Sequence, residues 1–310
     1  MIRFSVVIPL YNKEKDIVNT INSVLNQSYK ADEIIVVDDG SIDNSVEVIK
    51  NNFGDKIILI SQKNRGETSA RNRGLVEVKN EYIALIDADD LWEEDFLLEI
   101  KSLIEKYPSA IFYSTASKSL DEHGVSIKNQ LNFDEEFQGL IENFSKVFSK
   151  NYGLLNSSSV CIRKSIFDKG IIFPQGEKRG GDLCYWLTLS LHGRLAFSGK
   201  PFSIYKLDAS NRSGVIYKEA IIPCPLKWFY KNKEQLKKEK NYKSIEKFIY
   251  SNIFITVYGG FVMSANYVSI DAVIRLMKKN SDRFYILLYP AYLMPIGFLD
   301  FIKKIRRKLR

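Results

Sequence analysis

Two histidines and three cysteines are all that 310 residues offer of the side chains that most often hold zinc or run nucleophilic chemistry. His123 lies in an Asp-Glu-His-Gly turn and His192 in a His-Gly helix end, so a Ser-His-Asp arrangement has no support. Cys161, Cys184 and Cys224 form no CxxC pair and show no metal-ligand spacing. An odd, scattered set of cysteines fits a reducing compartment. No Walker-type phosphate loop occurs. The apolar run 6–8 is too short for a signal-peptide core, and Pro9 interrupts it. A cytoplasmic protein is therefore expected. There is no internal repeat and no low-complexity linker.

The chain has the profile of a globular protein, with 45% apolar and 26% charged residues. Its formal charge is +8, but six of the last eight residues are basic, which leaves 8 − 6 = +2 for the rest. The basic balance describes the tail and says little about an active site.

Strand and helix signals alternate through the first hundred residues. Residues 5–10, 33–37, 57–60 and 82–86 read as apolar strands. Between them lie helical stripes at 17–25, with Asn12 as a possible cap, at 46–53 and at 68–78. A further helix, 96–107, is stopped by Pro108. This order argues for an open parallel α/β sheet, in which ligands bind beyond the carboxyl ends of the strands. The pattern from 111 to 173 is mixed. A strand is expected at 159–162, a helix opening at Asp182, a last sheet segment at 196–205 and a lysine-rich helix at 227–247.

Two acidic clusters fall at strand ends. Asp87-Ala88-Asp89-Asp90 puts three carboxylates together. Unpaired, they repel, so they want a cation, and hard oxygen ligands suit Mg²⁺ or Mn²⁺. The same residues also suit a strand-to-helix turn with Asp as a cap. Asp38-Asp39-Gly40-Ser41 presents carboxylates to a base or ribose, or simply builds a β-turn. Asn64-Arg65-Gly66 and Ala70-Arg71-Asn72-Arg73-Gly74 punctuate a helix start with arginine, which suits a pyrophosphate through bidentate contacts. They suit a solvated helix face as well.

Taken in order, 5–12 (SVVIPLYN), 33–41 (EIIVVDDGS), 64–66 (NRG), 70–74 (ARNRG) and 87–90 (DADD) resemble the family 2 glycosyltransferases. The resemblance continues through 157–163, 170–174 and 180–182 and covers about residues 4–214. It implies an inverting enzyme of GT-A fold: a Rossmann-like, mostly parallel α/β sheet flanked by helices over residues 1–214. A mainly helical extension over 215–310 is expected to follow. It also implies that Pro9, Tyr11, Asp38 and Asp39 line the nucleoside pocket, Asp39 facing the base. Arg71 is implied near the diphosphate, Asp87 on the ribose or sugar side, Asp89 with Asp90 on Mn²⁺ or Mg²⁺, and Asp182 as the catalytic base. The chain departs from the family in having Gly181-Asp182 where Glu-Asp is common, and Tyr205-Lys206 where an aromatic-arginine pair is usual. Lysine keeps the charge but not the bidentate geometry.

Residues 284–302 are apolar and aromatic. Pro290, Pro295, Gly297 and Asp300 weaken a spanning helix, and three tyrosines suit an interface. With the basic tail they form an expected membrane-interface segment, 284–310, attracted to anionic lipid. A packed core helix is the alternative. The expectation is a peripheral protein on the inner face of the cell membrane that moves sugar from a nucleotide-sugar, UDP-linked by resemblance, to a saccharide or lipid-linked saccharide in bacterial surface polysaccharide synthesis. No nucleic-acid module is recognised. Two alternatives remain: a sugar-phosphate nucleotidyltransferase, whose usual glycine-rich basic loop is replaced here by Pro9-Leu10-Tyr11-Asn12, and a non-catalytic membrane or nucleic-acid adaptor.

Overall fold

The structure, a computed structural model, describes residues 1–121, 123–128, 131–151, 154–177, 180–207, 222–262 and 269–288. The chain divides into two compact units, residues 1–177 with 181–211 and residues 178–180 with 212–310. The expected boundary at 214 lies outside the described residues.

The first unit alternates strand and helix as its apolar periodicity predicts. It runs β1 (Phe4–Leu10), α1 (Ile17–Leu25), β2 (Glu33–Asp38), α2 (Ser45–Phe53), β3 (Ile58–Ser61), α3 (Glu67–Glu77), β4 (Tyr82–Leu85), β5 (Leu91–Trp92) and α4 (Phe96–Lys106). It continues with β6 (Phe112–Leu120), β7 (Ser126–Lys128), β8 (Gln138–Ile141), α5 (Phe144–Phe148), β9 (Val160–Arg163), α6 (Lys164–Asp168), α7 (Gly181–His192) and β10 (Leu195–Lys206). Among the described residues all ten strands join one sheet. Its order is β3-β2-β1-β4-β9-β6-β10-β5, with β7 on β6 and β8 on β10.

The parallel half is β3-β2-β1-β4. Beyond it the sheet is more mixed than expected: β9 runs antiparallel to both β4 and β6, and β10 is parallel to β6 but antiparallel to β5 and β8. Every residue of β1 is buried, as a central strand covered on both faces requires. Pro9 fits there because pairing with β4 ends at Val7, so its missing N–H removes no ladder bond on that side. Ile17, Ile21 and Val24 of α1 and Phe96, Ile100 and Leu103 of α4 pack into the core beside β1 and β4. On α3, Gly74 lies so close to β1 that an added Cβ would meet Val7 Cγ1 at 2.4 Å.

The second unit, taken by itself, is helical where described: α8 (Cys224–Leu236), α9 (Tyr242–Val262), α10 (Ile270–Lys279) and a 3-10 turn, Arg283–Leu288. Buried Asp282 accepts hydrogen bonds from Tyr230 at 2.7 Å and Tyr250 at 2.5 Å, tying α8 to α9. The single helix expected over 227–247 is two. The run Lys237-Lys238-Glu239-Lys240-Asn241 has no apolar side chain to bury, and the chain turns there. Most of 284–310 lies outside the described residues. Among those described, no helix is long and apolar enough to cross a membrane.

Candidate active site

The parallel strands β1, β2 and β4 end on one edge of the sheet, and the loops that follow them are laced together. Asn12, at φ 52°, does not cap α1. Its side chain instead accepts from the Ile42 N–H at 2.8 Å, while its own N–H donates to Ser41 Oγ at 3.0 Å. Lys13 N–H donates to Ser45 Oγ at 2.9 Å and Glu14 N–H to Asp43 at 3.1 Å. A short polar side chain tolerates this left-handed backbone.

Asp38 and Asp39 are both buried. Asp38 Oδ1 accepts from the Ser41 N–H at 2.9 Å and so holds its own turn. Asp39 reaches the next loop: Oδ1 accepts from Gln62 Nε2 at 2.7 Å and from the Arg65 N–H at 2.9 Å, and Oδ2 from the Gly66 N–H at 2.7 Å. Three of its roughly four acceptor positions are occupied. Pro9 is buried in β1, whereas Tyr11 stands 41% exposed beyond the strand end.

The three aspartates after β4 have different surroundings. Asp90 is only 1% exposed. Its Oδ2 accepts from Ser158 Oγ at 2.5 Å and its Oδ1 from the Lys206 N–H at 3.2 Å. Burial, then the charges of Asp87 and Asp89, push its carboxyl well above the usual range. Asp90, expected with Asp89 on a metal, has one hydrogen-bond partner on each oxygen. Asp89 Oδ2 pairs with Lys13 Nζ at 2.7 Å, and its Oδ1 accepts nothing from the described residues. Burial raises its carboxyl, Lys13 works against that, and Asp87 adds to it. Asp87 is about a quarter exposed and accepts from Arg71 Nη2 at 2.6 Å.

Arg71 is the residue expected near the diphosphate. It is 2% exposed, with Nη2 donating to both Glu67 and Asp87, its guanidinium 5.4 Å from the Phe173 ring centre, and Nε with no partner among the described residues. Burial works against its charge, but Glu67, Asp87 and Asp182 outweigh it and hold the guanidinium firmly protonated. Phe173 belongs to a three-part joint. Its backbone makes two hydrogen bonds with the Asn72 side chain, at 2.8 and 2.9 Å, and its ring stacks on Tyr185 of α7 at 3.9 Å. The joint brings the start of α7 against the start of α3, where a Cβ on Gly181 would meet Thr68 Cγ2 at 2.9 Å. A side chain larger than glycine's at 181 would have to displace the Thr68 methyl.

Asp182 therefore stands in the first turn of α7 near Glu67 and Arg71. The Arg71 guanidinium pulls the Glu67 carboxyl down, but burial and the charges of Asp87, Asp182 and Asp89 outweigh it and push Glu67 up to about 7. Half of the Glu67 side chain is open to solvent.

No three His, Cys, Asp or Glu side chains among the described residues group as a metal-ligand set. Mg²⁺ and Mn²⁺ take one or two carboxylates and complete their shell with phosphate and water. The unengaged Asp89 Oδ1 fits that role. The roles of Lys13, Glu67 and Phe173 escape sequence reading: Lys13 and Phe173 act through partners 76 and 101 residues away, and Glu67 through a helix turn. Lys206 donates to Asp16 at 2.6 Å, so its ammonium is engaged at this same edge.

A signature described as Glycosyl transferase family 2 matches residues 5–169, 165 of the 310. The chain is similar to an uncharacterized glycosyltransferase of Rickettsia bellii, 32% identical over 211 residues, covering 67% of this chain and 29% of that protein. It is similar to the amylovoran biosynthesis glycosyltransferase AmsB of Erwinia amylovora, 40% identical over 110 residues, covering 34% of this chain and 36% of AmsB. The chain spans about a third of the length of the curated relatives it matches. In fold it resembles S. aureus TarS 1–349, solved in complex with UDP-GlcNAc, at TM-score 0.72 and 18% identity, covering all of this chain and 93% of that one. The architecture is the GT-A fold.

Proposed function

The chain belongs to glycosyl transferase family 2, and we propose that it transfers a sugar, with inversion, from a UDP-sugar to an acceptor hydroxyl. One observation carries this reading. Asp87 on Arg71 of α3, Asp89 on Lys13 after β1, and Asp182 in the first turn of α7, whose Gly181 lies against Thr68 of α3, gather beyond the carboxyl ends of the parallel strands. Ligands of open α/β sheets bind at such an edge.

In this reading Asp182 takes the proton of the acceptor hydroxyl as that oxygen attacks the anomeric carbon and the bond to the nucleoside diphosphate breaks. Its carboxylate sits in the first turn of α7. Asp39 and Tyr11 face the nucleoside, and Asp87 faces the ribose or sugar. Asp89 is the residue to hold Mn²⁺ or Mg²⁺, which supplies positive charge for the leaving diphosphate when bound. Buried Arg71 acts by holding Asp87 in place. The UDP-GlcNAc bound by TarS supports the choice of donor, and the naming of AmsB for amylovoran synthesis supports a surface polysaccharide as product.

The acceptor we infer is a lipid-linked saccharide at the inner face of the cell membrane. The basic residues of 303–310 and the aromatic stretch before them support that location. Two experiments test the reading. UDP-sugars are screened with Mn²⁺ or Mg²⁺ for release of UDP in the presence of acceptor. The full chain is floated with anionic liposomes. Release of UDP from none of the donors, or of pyrophosphate in its place, sinks the transferase reading. A chain that ignores the liposomes removes the membrane.

A further inference from the structure

One nitrogen of Arg71 serves two carboxylates. Nη2 donates to Glu67, four residues back on α3, and to Asp87 Oδ1 in the loop after β4. The guanidinium is buried against Phe173 and cannot swing out to find a second partner for either. The two carboxylates therefore compete for one charge. Facing Glu67 are Arg71 from its own helix, Asp87 and Asp89 from the loop after β4, and Asp182 from α7. Among the described residues, Arg71 binds Glu67 and Asp87 while Lys13 binds Asp89.

We propose that Glu67 is a positioning residue, which by sharing Arg71 with Asp87 sets how firmly the Asp87 carboxylate is held for the donor. The inference rests on reading this edge as a nucleotide-sugar site. With Glu67 ionised, Asp87 has only part of the guanidinium, and an extra negative charge stands near the donor's diphosphate. With Glu67 protonated or replaced by a neutral amide, Arg71 belongs to Asp87 and that repulsion is gone. Glu67 changes state near neutral pH, so donor affinity falls as pH rises through that range.

Two measurements test this. In the full-length chain with ¹³C-labelled carboxyls and no donor, the Asp87 signal, identified from Asp87→Asn, moves as Glu67 titrates. The movement disappears in Glu67→Gln. An Asp87 signal indifferent to the titration of Glu67 overturns the proposal. Calorimetry with UDP-GlcNAc and Mn²⁺ at pH 6, 7 and 8 reads the consequence, since the diphosphate of this probe does not titrate over that range. Wild type weakens roughly three- to tenfold from pH 6 to 8, as one charge at partly screened distance dictates. Glu67→Gln stays flat at the pH 6 affinity. Equal slopes in both proteins overturn the proposal even if the variant melts lower, since a purely structural role changes melting alone. Absence of binding at every pH counts against the donor reading, and the carboxyl titration then decides the role of Glu67.

Discussion

The Ser158 hydroxyl donates to Asp90 Oδ2 at 2.5 Å and accepts from the Asp87 N–H at 3.0 Å. One side chain from the approach to β9 thus fixes both ends of the acidic loop. The Ser158 carbonyl also receives Trp92 Nε1 at 2.6 Å. Ser158→Ala leaves a buried carboxylate oxygen unpaired and is expected to cost about 1–3 kcal/mol of stability. Asp90→Ala is expected to fall in the same range. Urea unfolding checks both.

Asp89 should behave in the opposite way. Among the described residues it is braced by Lys13 alone, and burial raises its carboxyl. Asp89→Ala is expected to abolish sugar transfer while the chain still folds cooperatively, because removing Asp89 also relieves its repulsion with Asp87. A variant that transfers sugar normally removes Asp89 from the site.

Asp182→Asn keeps the size and helix position of the side chain but not its basicity. Transfer should drop by 10²-fold or more, at about the size of a general-base contribution, while nucleotide affinity stays unchanged. Single-turnover kinetics together with UDP titration separate the two effects.

Stability should depend on pH through Glu67. Its folded value, about 7, lies above the ordinary 4.5, so between these the folded chain holds a proton that the unfolded chain has released. The contribution is therefore complete below about 4.5 and is lost as pH rises through 7. Melting curves of the metal-free protein should decline over that window, and Glu67→Gln should flatten the decline.

Gly74→Ala forces a methyl group against Val7 Cγ1 at 2.4 Å. α3 must lift from β1, at about 1–3 kcal/mol. Because α3 carries Arg71, nucleotide binding should weaken together with stability.

The β3-β2-β1-β4 half was legible because its strands are uninterrupted apolar runs. β6 was not. Its Phe-Tyr-Ser-Thr-Ala-Ser-Lys-Ser-Leu reads as polar, yet Ser114, Thr115 and Ser117 are buried. Ser114 Oγ donates to the Thr115 carbonyl at 3.1 Å and meets Ser159 Oγ at 3.1 Å, Thr115 Oγ1 donates to the Ala116 carbonyl at 3.0 Å, and no periodicity records that. Asp39 and Asp89 could be picked out by their place at strand ends. The engagement of Asp90 and the burial of Arg71 could not. Both depend on residues 68 to 116 positions away or on a ring brought in by the Asn72–Phe173 joint.

The lacing of Asn12, Lys13 and Glu14 to Ser41, Ser45 and Asp43 has a kinetic consequence. Together with the grip of Asp39 on residues 62–66, it means that the loops after β1, β2 and β3 are already joined before any ligand arrives. A nucleoside entering there pays little conformational entropy. Its association should follow a single, concentration-proportional phase without a slow rearrangement step, leaving affinity to be tuned through dissociation.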